Sequence, residues 1–331
     1  MTSVTRKEFL SSGGAALALA GCAMAPVRTA AQIAEATKFI DIHAHCTEEP
    51  MPPILNGDPP LCVENELIAH YDRLGIERGC ILGLGTPENF IGGMSNESIL
   101  RLATKNQRFI PFCVVDPRAC GNTPFAKLRS VLEHYRERGC RGVGEVCANI
   151  HLLDPRMQNL FAACEDVGFS LTFHMSPLVG WSYGVVDEAG LPELEECLRR
   201  FPKLRFFGHS CAFWSEMTPC RTVDERNRRG SGKVVEEGAV PRLMRRYPNL
   251  YGDLSAGSGY YALARDREYA AKFLTEFEDR IMFGIDICCP NGYVSGLPGF
   301  LRDLCAKGDI SVRTFLKVAR ENQIRELGLA G

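Results

Sequence analysis

The stretch Phe39-Ile40-Asp41-Ile42-His43-Ala44-His45-Cys46 decides how the chain is read. It is a short apolar run that ends in two histidines one residue apart. Side chains two apart on a strand point to the same side, so His43 and His45 project together. Two imidazoles aimed at one place can hold a divalent ion, and histidine is the commonest metal ligand. His-x-His alone says little, because polar residues also finish ordinary strands. The reading turns on what stands at the other strand ends.

Apolar, strand-like runs recur over 79–85, 109–115, 142–146, 169–174, 204–209, 250–254 and 280–287. Helical spacing fills the intervals at 63–74, 96–106, 124–138, 154–167, 191–200, 240–247 and 268–278, with two more helices over 297–306 and 312–327. In the first of these Leu67, Ile68, Tyr71 and Leu74 share a face. Asp154 is the expected N-cap of its helix, with Pro155 in the first turn. Eight strands alternating with helices over roughly 290 residues predict an α/β fold, the (β/α)8 TIM barrel. An open doubly wound sheet is the other arrangement, but no glycine-rich phosphate loop follows the first strand. Residues 38–331 read as one catalytic domain, with no internal repeat and no low-complexity linker.

Active sites of such barrels lie at the C-terminal strand ends. The fourth strand ends at Glu145, the fifth at His174, the sixth at His209 and the eighth at Asp286. Four of the seven histidines therefore stand at strand ends. His70 and His134 fall within helices and read as packing or surface residues. Singly, each site residue has an ordinary explanation: an ion-pair carboxylate at 145, satisfied core histidines at 174 and 209, a turn cap at 286. Together, six metal-competent groups at one end of five strands supply donors for one or two divalent ions, zinc ahead of manganese. Asp253-Leu254-Ser255-Ala256-Gly257-Ser258 ends the seventh strand and is expected to shape the pocket. Cys46, Cys288 and Cys289 should only border the site.

His43-x-His45, Glu145, His174, His209 and Asp286, in that order, resemble the amidohydrolase superfamily. The nearest branch is the group with aminocarboxymuconate-semialdehyde decarboxylase and the resorcylate decarboxylases, and the resemblance covers about 38–327. It implies that His43, His45 and Asp286 hold one ion, Glu145 bridges or adds a ligand, and His174 completes a second position. It implies that Asp286 also moves the proton, while His209 is a second-metal ligand or stabilises an oxyanion. Many binuclear members carry a carboxylated lysine where Glu145 stands, and the decarboxylases generally lack an acid there. Glu145 thus points to hydrolysis of an amide, lactone or ester by metal-activated water. Non-oxidative decarboxylation of an aromatic or muconate-type carboxylate is the alternative. A third reading, an exported metal-binding lipoprotein without catalysis, requires a filled coordination shell.

Substrate recognition falls to the loops. His151, Trp181, Trp214 and Arg221 are the expected contacts to a small-molecule substrate, and Tyr183, Phe213, Arg226, Arg228 and Arg229 lie on the same loops. Arginine can grip a carboxylate bidentately. The arginine run also reads as a solvated face or as a contact in a homo-oligomer.

The 331 residues are 45% hydrophobic and 24% charged, with a net charge of -2, which argues against nucleic acid as a partner. No apolar run reaches the roughly 18 residues of a spanning helix. The fifteen cysteines are scattered without a repeated Cys-x-x-Cys, so a zinc ribbon is not expected. Thr5-Arg6-Lys7-Glu8-Phe9-Leu10 and the small, apolar residues after it read as an export signal resembling the twin-arginine type. Leu19-Ala20-Gly21-Cys22 resembles a bacterial lipobox that would lipidate Cys22; cleavage after Ala25 competes with it. Residues 1–37 are therefore expected to be signal and tether. The protein would be periplasmic or held on the outer side of a bacterial inner or outer membrane, touching lipid only through Cys22.

Overall fold

The apolar runs become parallel strands: β1 (Phe39–Ala44), β2 (Ile76–Ile81), β3 (Phe109–Pro111), β4 (Gly142–Val146), β5 (Ser170–Ser176), β6 (Val185–Val186), β7 (Phe206–His209), β8 (Leu250–Asp253) and β9 (Ile281–Met282). The computed structural model describes residues 28–51, 61–88, 94–292 and 294–330, so the export pattern and Cys22 lie outside it. Neighbours pair as β1-β2-β3 and as β4-β5-β7-β8-β9, with the two-residue β6 added at the tip of β5. Backbone hydrogen bonds join the two sheets at both seams. Cys113 N–H donates to Gly142 O at 3.0 Å, and Gly144 N–H returns to Cys113 O at 2.9 Å. On the other side Ile42 N–H donates to Phe283 O at 3.0 Å and Asp286 N–H to His43 O at 2.8 Å. The result is the expected TIM-barrel architecture.

Alternation along the strands sorts the core. Ile40, Ile42, Cys80, Leu82, Ile110, Phe112, Phe207, Tyr251 and Met282 pack together as the barrel interior, plugged by Leu327 of the last helix. Phe39, Ala44, Ile81, Val143 and Val146 face the helices outside. Strict alternation from Ile40 and Ile42 would turn Ala44, not His43, inward. The register explains the exception: Asp41 pairs with Gly79 and Ala44 with Ile81, three steps on β1 against two on β2. One extra residue is a β-bulge, a device that re-aims a side chain. Strand β4 does the same, with three steps from Val143 to Val146 against two from Leu171 to Phe173 on β5. Both bulges sit where a strand hands over a metal-competent residue.

The helices follow expectation with trimmed ends. Asp154 caps Pro155–Val167 by accepting Arg156 N–H at 2.9 Å, and Gly168 closes that helix at φ 81. Leu297–Ala306 is as expected. The last helix is interrupted by a wide turn over Lys317–Glu321. The stretch expected as signal and tether includes a folded helix. Thr29 caps the helix Ala30–Ala36, which lies on Leu297–Ala306, where Arg302 donates to Ala34 O at 3.2 Å and to Thr37 O at 3.4 Å. The region 210–236 holds short helices at Cys211–Trp214 and Val223–Arg226, with Phe213, Trp214 and Met217 buried. The helix Ala256–Ala264 was masked in sequence by its glycines, which lower helix propensity.

Candidate metal centre

His43 and His45 enter from β1, Glu145 from β4, His174 from β5, His209 from β7 and Asp286 from the chain just after β9. His174 and His209 are direct partners in the β5–β7 register, which sets them at one height. Asp286 holds φ 54, a left-handed conformation that Asp enters more readily than most residues. The structure thus brings all six predicted residues to one mouth of the barrel.

The distances are those of a ligand shell. His43 Nε2 and His45 Nε2 stand 3.2 Å apart. Glu145 Oε2 lies 3.6 and 3.5 Å from them, and Asp286 Oδ1 lies 3.8 and 3.4 Å from them. Donors bound about 2.0–2.1 Å from one ion are about 3.4 Å apart in a tetrahedron and about 3.0 Å apart when cis in an octahedron. The second oxygens of both carboxylates turn the other way. Glu145 Oε1 meets His174 Nδ1 at 2.7 Å and His209 Nε2 at 3.7 Å; Asp286 Oδ2 is 3.5 Å from His209 Nε2. His43, His45 and Asp286 form one candidate group, Glu145, His174 and His209 another, and His43, His209 and Asp253 a third, with Glu145 facing the first two.

Outer partners fix the rings. His43 Nδ1 pairs with Asp253 Oδ2 at 2.7 Å, His45 Nδ1 donates to Leu82 O at 2.8 Å, and His209 Nδ1 meets Ser255 Oγ at 2.9 Å. Each of these rings is held by one nitrogen so that Nε2 points inward, the arrangement that orients metal-binding histidines. Asp253 stands at a strand end, as expected, and has this further role in orienting His43. Its signal was the same as for Asp286, an acid closing an apolar strand. Ser255 lies in the 253–258 stretch expected to shape the pocket, though not in this role, and nothing in the sequence marked the Leu82 carbonyl.

Electrostatics agree with the geometry. Burial opposes charge on His43, yet Asp286, Asp253 and Glu145 hold its pKa well above the ordinary imidazole value. His45, equally buried, is pushed up to about 9 by Asp286 and Glu145. Burial also works against the carboxylates, but His174 and His43 keep Glu145 ionised far below its usual range, and His43, His209 and His45 do so for Asp286. Protonation of these imidazoles and binding of a divalent ion would compete, because the same nitrogens serve both. Cys288 borders the centre, its thiol 3.3 Å from Asp286 Oδ1.

The expected substrate contacts are not gathered in this way. Trp214 is only 2% exposed; its indole N–H donates to Asp253 O at 2.8 Å, and its ring lies beneath Gly252. It is a core residue that steadies Asp253, which corrects its expected place against substrate. His151 and Arg221 line a cavity of about 430 Å³ with Pro177, Leu178 and Val186, and none of the six metal-competent residues lines it. The His151 ring is tied to Glu193 at 2.9 Å. Trp181 stays 49% exposed on the loop after β5. Tyr183, from the same loop, packs its ring 4.6 Å from that of His174.

The amidohydrolase family profile matches residues 40–292, from β1 through the Asp286 segment. The chain belongs to the amidohydrolase family. No protein of curated function matches it in sequence. Its fold is similar to that of 5-carboxyvanillate decarboxylase from Novosphingobium aromaticivorans, solved with manganese and 4-hydroxy-3-methoxy-5-nitrobenzoic acid: TM-score 0.58, 15% identity, 89% of this chain and 97% of that one. The 2,6-dihydroxybenzoate decarboxylase from Rhizobium gives TM-score 0.56, 13% identity, 89% and 100%. A probable 2-pyrone-4,6-dicarboxylic acid hydrolase from Acinetobacter baumannii, solved with citric acid, gives 0.53, 12%, 88% and 100%. At these identities the likeness is one of fold. This amidohydrolase is an enzyme of the superfamily with the donor set of a divalent-metal centre.

Proposed function

We propose that this amidohydrolase is a metal-dependent hydrolase acting on a C–N or C–O bond of a small amide, lactone or ester. The observation that carries the reading is Glu145, one oxygen of which faces the His43–His45 pair and the other His174 and His209. A carboxylate so placed suits two ions held side by side, zinc before manganese given the mix of imidazole and carboxylate donors. Divalent ions there would polarise the scissile carbonyl and lower the pKa of water.

The chain's own residues do the rest. Asp286, whose oxygens lie 3.4 Å from His45 Nε2 and 3.5 Å from His209 Nε2, stands where it can take a proton from the attacking water and hand it to the leaving group. His209, fixed by Ser255, presents Nε2 toward the same space, where it would hold a second ion or stabilise a developing oxyanion. Tyr183 packs its ring against one side of His174. Trp181, exposed on the same loop, offers a surface for an apolar part of the substrate.

Decarboxylation is the second reading, and the named neighbours lean toward it: two of the three structures described above are aryl-carboxylate decarboxylases. In that case the carboxylated carbon releases CO2 and takes a proton from the site. One experiment separates the two. Metal-stripped protein is reloaded with zinc or manganese, its ion content is counted, and it is offered lactones, amides and aryl carboxylates in H2-18O and in D2O. Hydrolysis puts one 18O into the product acid. Release of CO2 with one deuteron at the vacated carbon, and no 18O uptake from any substrate, would overturn the hydrolase reading.

A further inference from the structure

The bulge that turns His43 inward breaks the ladder at the seam between β1 and the chain after β9. In an unbroken parallel ladder, the donor after the Ile42-to-Phe283 bond would be Ile285 N–H, given to the Ile42 carbonyl. It goes elsewhere. Ile285 N–H and His43 N–H both donate to one atom, Asp41 Oδ1, at 2.9 and 3.0 Å. The other carboxylate oxygen accepts the Tyr71 hydroxyl at 3.2 Å. Asp41 is wholly buried, where an N–H without a partner would be expensive. Space for the arrangement exists because residue 79 is glycine. A Cβ there would stand 2.2 Å from the Tyr71 hydroxyl and 2.8 Å from Asp41 Cβ.

The two amides belong to the two segments that deliver the first ligand group. One is His43 itself; the other is the residue before Asp286. We propose that Asp41 is a positioning residue for the metal centre: by taking both orphaned amides on one oxygen it fixes the spacing between the His43–His45 tip and Asp286. It touches neither substrate nor ion. Its action is through backbone, and the inference rests on the metal-centre reading but not on the choice of hydrolysis over decarboxylation.

The test is metal affinity of the full chain, measured by chelator competition with Zn2+, together with the visible spectrum of the Co2+ form. Asp41→Ala is expected to weaken binding about 10–100-fold and to alter the Co2+ spectrum, while Asp41→Asn, which keeps an acceptor oxygen at the same reach, stays within about threefold of wild type. Wild-type affinity in Asp41→Ala overturns the proposal, as does an Asn variant that loses as much as Ala. Should the Ala variant not fold, Asp41→Glu decides. It keeps the carboxyl group but carries the acceptor one methylene too far, so about a tenfold loss is expected with faster exchange of the His43 and Ile285 amides. A Glu variant that binds like wild type overturns the proposal. Failure of wild type to take up any ion would instead sink the metal centre itself.

Discussion

The strand tips and the loops beyond them behaved differently. Six side chains chosen at the ends of β1, β4, β5, β7 and β9 meet within a few ångströms of one another. Four chosen from the loops, at 151, 181, 214 and 221, do not: one is core, two share a separate cavity, and one stands in solvent. The difference is one of what fixes a residue in space. A residue at a strand tip is placed by the ladder, as when His174 and His209 sit opposite each other in register. A loop residue is placed by whatever happens to fill the gap beside it.

The largest expected effect lies inside the tip cluster. Asp286→Asn keeps the shape of the side chain but removes its capacity to carry a proton, so turnover should fall about 10²–10⁴-fold. Metal content should fall only partly, since His43, His45 and Glu145 remain. Elemental analysis beside a rate measurement checks this. Undiminished turnover with ion bound would remove Asp286 from the chemistry and leave it as a ligand alone.

Much of this cluster was legible because its chemistry is carried by rare residue types at predictable places. Histidine and acid at the end of an apolar run are conspicuous, and the run itself announces the strand. What the alternation rule did not reveal is the pair of bulges. From Ile40 and Ile42 the rule turns His43 outward, and only an inserted step in the register brings it in. Bulges depend on pairing with a neighbour and leave no local mark. The outer partners were hidden for a related reason. Asp253 was visible as an acid at a strand end, whereas the Leu82 carbonyl that holds His45 is backbone and could be any residue. Trp214 misled because an aromatic on a catalytic-face loop reads equally well as lid or as core, and burial against Phe213 and Phe273 decided it.

Asp253 tests whether the tip region extends one layer outward. Asp253→Asn retains an acceptor for the Ser255 amide but replaces the carboxylate on His43 Nδ1 with a neutral amide group. Loss of such a partner typically costs 10–100-fold in metal affinity, and about that is expected here. The reading to take is zinc affinity at fixed pH, with melting temperature as the control. An Asn variant that melts early yet binds zinc normally would make Asp253 a prop for the fold and no part of the centre.

The smallest effect is expected from the loops, and it is the one best able to break the contrast. Arg221 is exposed, and its backbone N–H is occupied by Glu225 at 2.6 Å. Exposed side chains away from buried networks usually change stability by no more than about 0.5 kcal/mol, and Arg221→Ala should do no more. Its effect on kcat/KM for whichever substrate the screen identifies should stay below about twofold, because a charge on the rim adds little to binding. The cavity it lines with His151 lies behind the tip of β5, where Arg226 contacts Met175 Sδ at 3.3 Å. A tenfold rise in KM with kcat unchanged would therefore mean that the substrate is long enough to reach past His174 into that cavity. The loop would then belong to the site after all, and the division between tip and loop would be one of distance from the ion and not of function.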